Sequence, residues 1–191
     1  MLDILTEADK WLFLLVNGWH SDFFDIVMVY ISSKLFWLPF YLLLLYLIIR
    51  EYKWKSTVVL LSVAVLLTLT DQISVHLFKN VFQRLRPCHD EELALIVHTV
   101  KHCGGQFGFV SSHASNSFGI VVFVGAILKD RYSLLPWVLL IWGLLIVYSR
   151  VYLGVHYPAD VLFGALLGAI LGQFTLLGYR YIDKNWMKQL N

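Results

Sequence analysis

Five stretches of this chain contain no Asp, Glu, Lys or Arg: 35–49, 56–70, 102–128, 132–149 and 161–179. A helix that crosses the hydrocarbon layer of a bilayer needs about 20 mainly apolar residues, and a charge at its centre is costly. Allowing each stretch a little flank, the sequence predicts five membrane helices near 27–49, 56–78, 109–128, 133–152 and 159–179. In the last of these Gly164, Gly168 and Gly172 recur at every fourth position, a spacing that lets helices approach closely in lipid. The whole chain is 59% hydrophobic and 15% charged. A soluble domain is roughly 45–50% apolar and about 25% charged. So few charges cannot cover so much apolar surface, which excludes an ordinary soluble globule, a disordered chain and a nucleic-acid-binding basic domain. The expectation is an all-α integral membrane helical bundle, a single domain over residues 1–191 with five or six membrane helices.

Residues 1–25 are harder to place. Glu7, Asp9 and Lys10 precede the apolar run Trp11–Val16, which is too short to span and lacks the basic start of a signal peptide. An amphipathic helix in the membrane interface is the better reading. A separate helix over Asp22–Ser33 makes the count six. Lys and Arg in short loops set orientation. Arg50, Lys53, Lys55, Lys129, Arg131, Arg180, Lys184 and Lys188 fall on one side. Lys10, Lys34, Lys79, Arg84, Arg86, Lys101 and Arg150 fall on the other. That balance predicts a cytoplasmic C-terminus, with the long 79–107 loop and the Arg150–Asp160 segment outside.

Ionisable groups at membrane depth are expensive and mark function. Here they gather on that one outer side. Lys79 closes the second predicted helix, with Arg86-Pro87 seven residues later. Ser111-Ser112-His113 opens the third, Ser149-Arg150 closes the fourth, and His156 and Asp160 lie at the entry to the fifth. Taken singly, each has an ordinary explanation. Lys79 is a snorkelling lysine, either histidine a satisfied core residue, and the serines interhelical glue. Taken together, Lys79, Arg86 and Arg150 repel one another unless an anion lies between them. Guanidinium forks match phosphate oxygens two at a time, and a lysine adds a point charge. Backbone N–H groups of Ser111 and Ser112 at a helix start favour the same anion. Two histidines suit a nucleophile and a general acid, and Asp160 can fix the tautomer of His156.

Lys79-x6-Arg86-Pro87, then Ser111-Ser112-His113, then Ser149-Arg150-x5-His156-x3-Asp160 resembles the three-part signature of the type-2 phosphatidic acid phosphatase superfamily. Val110 and Ser112 stand where that signature usually has Pro and Gly. The resemblance implies that His156 is the nucleophile that forms a phosphohistidine and that Asp160 orients it. It implies that His113 protonates the leaving oxygen and then activates water. Lys79, Arg86, Ser111, Ser112 and Arg150 would hold the phosphoryl oxygens, with no metal or other cofactor.

The implied activity is hydrolysis of a lipid phosphate monoester or lipid pyrophosphate at the outer face of a bacterial inner membrane. Undecaprenyl pyrophosphate, phosphatidylglycerol phosphate, phosphatidate and lipid A phosphate are candidate substrates. Membrane lipids are the expected partners and nucleic acid is not. A vanadium-type haloperoxidase and a non-enzymatic lipid flippase are the alternatives. Cys88 and Cys103 lie in the 79–107 loop and fit a disulfide, two free thiols, or a zinc site with His89, His98 and His102. Arg84 and His89 lie close to the site but occupy no motif position. Asp71 is expected to face the bundle and pair with a polar neighbour.

Overall fold

The computed structural model describes residues 2–93, 95–100 and 102–187. Lys101 and Lys188, two of the cations in the orientation count, lie outside the described residues. Helices α1 (Leu2–Asn17), α2 (Asp22–Ile31), α3 (Leu38–Tyr52) and α4 (Ser56–Ile73) form the first half. A π-helical turn, Ser74–Lys79, carries α4 into the short α5 (Asn80–Phe82). After the long loop come α6 (Ser112–Leu128), α7 (Leu135–Tyr152) and α8 (Pro158–Ile182). Pro39, Pro136 and Pro158 sit in the first turns of α3, α7 and α8, where the missing N–H costs nothing.

The tightest contact is between α6 and α8. Gly164, Gly168 and Gly172 face Ser111, Ser115 and Gly119 at the same four-residue spacing. A Cβ on Gly168 would lie 2.0 Å from the Ser115 carbonyl oxygen, so only glycine lets the two backbones approach this closely. Around this pair, Leu66, Phe123, Leu139, Trp142 and Leu176 form the main core. Leu61, Trp137, Ile141, Leu166 and Phe174 point outward and are exposed. Helices that are apolar on both the packed and the outer face belong in lipid.

Span lengths differ from the sequence expectation. Among the described residues, three helical stretches are long and apolar enough to cross a bilayer: Leu38–Phe82, Leu135–Tyr152 and Pro158–Asn185. The pair Thr6–Asn17 and Asp22–Ile31, bent by 113°, makes a fourth if it is one span. Leu38–Phe82 runs for 45 residues. At 1.5 Å per residue that is about 67 Å, roughly twice the apolar thickness of a bilayer. The chain breaks at Lys53 (φ 49°), and Tyr41, Leu44 and Ile48 of α3 line one cavity with Leu60, Val63 and Leu67 of α4. The segment expected as a span at 27–49 is divided, because α2 ends at Ile31 and α3 starts at Leu38. The span expected at 109–128 begins only at Ser112: Gly108 is still paired with Arg84, and Ser111 caps the helix with its N–H on the Asp160 carbonyl.

At the N-terminus, α1 buries Phe13 and Asn17 and exposes Trp11, Leu12 and Leu15. Asn17 ties three parts of the chain together. Its Nδ2 donates to the carbonyls of His98 (2.9 Å) and Tyr152 (2.8 Å), and its Oδ1 accepts from the His98 N–H.

Candidate active site

Four helix ends meet at one end of the bundle. Lys79 ends the π-helical turn, and its Nζ donates to Ser112 Oγ at 3.0 Å. Ser111 caps α6, and its N–H donates to the Asp160 carbonyl in the first turn of α8 at 2.9 Å. Arg150 lies in the last turn of α7 and donates to Ser32 Oγ in the linker between α2 and α3. Gly154 (φ 75°) then turns the chain toward His156; a Cβ there would lie 2.7 Å from the His98 carbonyl oxygen.

The centre of the site is an imidazole held between an acid and a cation. His156 Nδ1 lies 3.3 Å from Asp160 Oδ2, and His156 Nε2 lies 3.3 Å from an Arg86 guanidinium nitrogen. A carboxylate only accepts and a guanidinium only donates. Both neighbours therefore select one neutral tautomer, with the proton on Nδ1 and a lone pair on Nε2. His156 is buried, and that burial, followed by the charges of Arg86, Arg150 and Lys79, pushes its pKa well below the usual imidazole value. That direction favours the neutral ring at physiological pH, the form that can act as a base or nucleophile. Asp160 also accepts the Tyr157 N–H at 3.0 Å, so the carboxylate that orients His156 also caps α8.

Several donors in this cluster remain uncommitted. Arg86 Nε, Arg150 Nε and Ser111 Oγ are buried without a hydrogen-bond partner. Buried polar groups are almost always satisfied, so unmatched donors on two arginines and a serine fit an anionic ligand. The Ser111 N–H, expected to face an anion, is instead spent on Asp160, which leaves its hydroxyl for that role. His113 lies between two cavities. One, of about 350 Å³, is lined by Ser32, Ser33, Lys34, His102 and Arg150 together with Leu153 and Val155. The other, of about 390 Å³, runs between α3, α4, α6 and α7 past Trp37, Tyr41, Leu67, Ile120 and Trp142. Asp71 faces the bundle interior, where it opens onto this second cavity within electrostatic reach of Lys79.

The long loop folds back on itself. Leu85 and Phe107 form an antiparallel bridge, flanked by Arg86 N–H to Gln106 carbonyl (3.1 Å) and Gly108 N–H to Arg84 carbonyl (2.8 Å). Cys88 and Cys103 are joined in a disulfide, which removes both sulfurs from any zinc site. His98 is bonded to Asp25 at 2.9 Å and stacked on His20 at 3.6 Å. Among the described residues no group of three His, Cys, Asp or Glu is placed to hold a metal.

Three contributors had no motif to announce them. Gly108 passes so close to the centre that a Cβ would lie 2.8 Å from Asp160 Oδ2 and 3.5 Å from His156 Nδ1. Arg84 donates to Asp160 Oδ1 at 2.9 Å and to Asp9 Oδ2 at 2.6 Å. Its one sequence signal was its place two residues before Arg86. Asp9, at the far end of the chain, gave none.

The sequence pattern that defines the PAP2 superfamily matches residues 57–184. The chain belongs to the PAP2 superfamily. It is 35% identical over 175 residues to the lipid A 4'-phosphatase of Bacteroides thetaiotaomicron, covering 90% of this chain and 77% of that one. Its fold is similar to the crystal structure of the PAP2-type phosphatidylglycerolphosphate phosphatase of Bacillus subtilis. The TM-score is 0.71 at 22% identity, over 96% of this chain and 89% of that one. It is also similar to LpxE of Aquifex aeolicus, with a TM-score of 0.64 at 25% identity, over 87% and 93% of the two chains. As a member of this superfamily the chain is an integral membrane phosphatase, a hydrolase of phosphoric esters.

Proposed function

We propose that this protein removes a phosphate monoester from a glycolipid of the lipid A class, at the outer face of the inner membrane, through a phosphohistidine on His156. The carrying observation is the His156 ring fixed between Asp160 and Arg86, with an unprotonated Nε2 whose lone pair faces the Arg86 guanidinium. Nε2 attacks phosphorus, a P–N bond forms, and the bond from phosphorus to the lipid oxygen breaks. His113 gives that oxygen its proton. His113 then takes a proton from water, the water oxygen attacks phosphorus, and the P–N bond breaks to release inorganic phosphate. Lys79, Arg86, Arg150, Ser111 and Ser112 hold the phosphoryl oxygens and balance their charge, without a metal. The apolar cavity that opens at His113 supports an amphiphilic substrate, since a hydrocarbon tail fills it while the phosphate meets the cations.

In this reading α3 and α4 cross the membrane separately, α6, α7 and α8 add three more spans, and α1 lies in the outer interface. The C-terminus is cytoplasmic, and residues 1–191 act as one domain. The relative from Bacteroides supports the lipid A class.

The test is phosphate release by the purified protein in detergent, with EDTA present, from lipid A, undecaprenyl diphosphate, phosphatidate and phosphatidylglycerol phosphate. Lipid A is expected to be the best substrate. His156→Ala is expected to lose at least about 10³-fold in kcat, as loss of a covalent nucleophile does. Lys129→Ala, exposed at the opposite end, is expected to match the native protein. Full activity in His156→Ala overturns the mechanism, and inactivation by EDTA overturns its metal independence.

A further inference from the structure

Asp160 is fully buried, and its two oxygens are divided between two tasks. Oδ2 takes the Tyr157 N–H and the His156 ring. Oδ1 takes Arg84. Among the described residues Arg84 is the one Lys or Arg in ion-pair contact with Asp160. A buried carboxylate without a paired cation is strongly disfavoured, so Arg84 is what keeps Asp160 in its working form and place. The guanidinium is itself positioned from two sides. It lies 4.1 Å above the Tyr157 ring, whose hydroxyl donates to Asp90 at 2.8 Å. Its second nitrogen donates to Asp9 of α1 at 2.6 Å. The other oxygen of Asp9 accepts the N–H of Ala159, the residue before Asp160, at 2.8 Å. Asp9 therefore grips both the first turn of α8 and the arginine that holds Asp160. It does so from outside residues 57–184, which carry the superfamily pattern.

We infer that Asp9 and Arg84 are positioning residues for catalysis: α1, docked through Asp9, sets the Arg84 fork that holds Asp160 and thereby the Nδ1-protonated tautomer of His156. Neither residue touches the phosphate or the lipid tail. Their effect runs through the step that uses His156, not through substrate binding. The inference rests on the proposed role of His156 as nucleophile.

Steady-state kinetics of Arg84→Ala, Arg84→Lys, Asp9→Asn and the Arg84→Ala/Asp9→Asn pair test it, with thermal unfolding run on each to confirm folding. Arg84→Ala is expected to lower kcat about 100-fold at nearly constant KM, the scale of a small misplacement of a reacting group. Arg84→Lys keeps a charge but lacks the planar fork that presents one nitrogen to Asp160 and another to Asp9, and is expected to recover little. Asp9→Asn keeps an oxygen for the Ala159 N–H, but its amide nitrogen then faces Arg84, so both the charge and the acceptor for that guanidinium nitrogen are lost. About a tenfold fall in kcat is expected, and the pair is expected to be no worse than Arg84→Ala alone. Added guanidinium ion is expected to restore part of the kcat of Arg84→Ala, which a purely structural defect does not allow.

A second readout does not need turnover. In the native protein, ¹⁵N spectra of labelled histidine are expected to show His156 protonated on Nδ1, and Arg84→Ala is expected to mix its tautomers. Retained activity in His156→Ala sinks the nucleophile assignment and leaves the tautomer measurement to decide this inference. An inactive His156→Ala beside native kcat in Arg84→Ala, or an additive pair, or an unmoved tautomer, overturns this inference alone.

Discussion

The α6–α8 interface and the α3–α4 arm differ in what lies between their helices. Between α6 and α8 there is backbone against backbone, with glycines opposite serines and another glycine. Between the α3–α4 arm and α6 and α7 there is a cavity of about 390 Å³ bordered by aromatic and aliphatic side chains. In the proposed mechanism the first arrangement carries the chemistry. Ser111 and Asp160, at the ends of the two packed helices, are bonded directly to each other. The second suits a hydrocarbon, which needs space and adaptable walls more than fixed polar geometry. On that proposal, rigid packing beside the reacting atoms and looseness beside the tail divide the bundle into a half that positions and a half that accommodates.

The sharpest way to break this contrast is to put volume where there is none. Gly168→Val places branched carbon against the Ser115 carbonyl, where even a Cβ would sit 2.0 Å away. The two helices must separate, and the Ser111–Asp160 contact goes with them. Loss of the folded protein is expected, seen as aggregation in detergent size-exclusion chromatography. A monodisperse, active variant would show that the α6–α8 packing is not what holds the site.

The converse change adds volume where there is space. Leu67 borders the apolar cavity, and Leu67→Trp fills part of it without touching a polar group of the site. The fold is expected to survive. KM for a long-chain lipid phosphate is expected to rise about tenfold, equivalent to about 1.4 kcal/mol of binding, while turnover of a small water-soluble phosphate ester stays unchanged. Equal loss on both substrates would mean that the cavity belongs to the stability of the fold and not to the tail.

How much of this was legible in the sequence follows from the range of the forces involved. The Gly164, Gly168 and Gly172 stripe and the charge-free stretches are local patterns, readable because packing and lipid exposure repeat with the helical period. The polar residues of the site were legible because charge at membrane depth needs a reason. Span boundaries were not. At the break at 32–37 Ser32 meets Arg150, and at the start of α6 Ser111 meets Asp160, contacts that apolar composition alone does not register. Asp9 was illegible for a different reason. An acidic residue in the first turns of a surface-seeking helix looks like a solvated charge, and only the closed fold brings it to Arg84, 75 residues away. Gly108 was one glycine among 12 until the backbone was seen to pass against His156.

The smallest effect separates the two halves by proton cost. His156 lies in the packed half, and burial together with three nearby cations holds its pKa well below 6.5. The unfolded chain has no such environment, so its histidine takes up a proton as pH falls below about 6.5, while the native ring does not. The unfolded state then binds more protons, and native stability falls as pH drops. The contribution is full above about pH 7 and is lost progressively below 6.5, by up to about 1.4 kcal/mol for each pH unit from this one ring. Thermal unfolding between about pH 7 and pH 5, compared with His156→Asn, isolates it, because asparagine has no proton to gain. The native protein is expected to lose a few degrees more than the variant over that range. Parallel curves would mean that the His156 ring is protonated in the folded protein. In that case Nε2 is no free lone pair, and the packed half does not prepare it for attack.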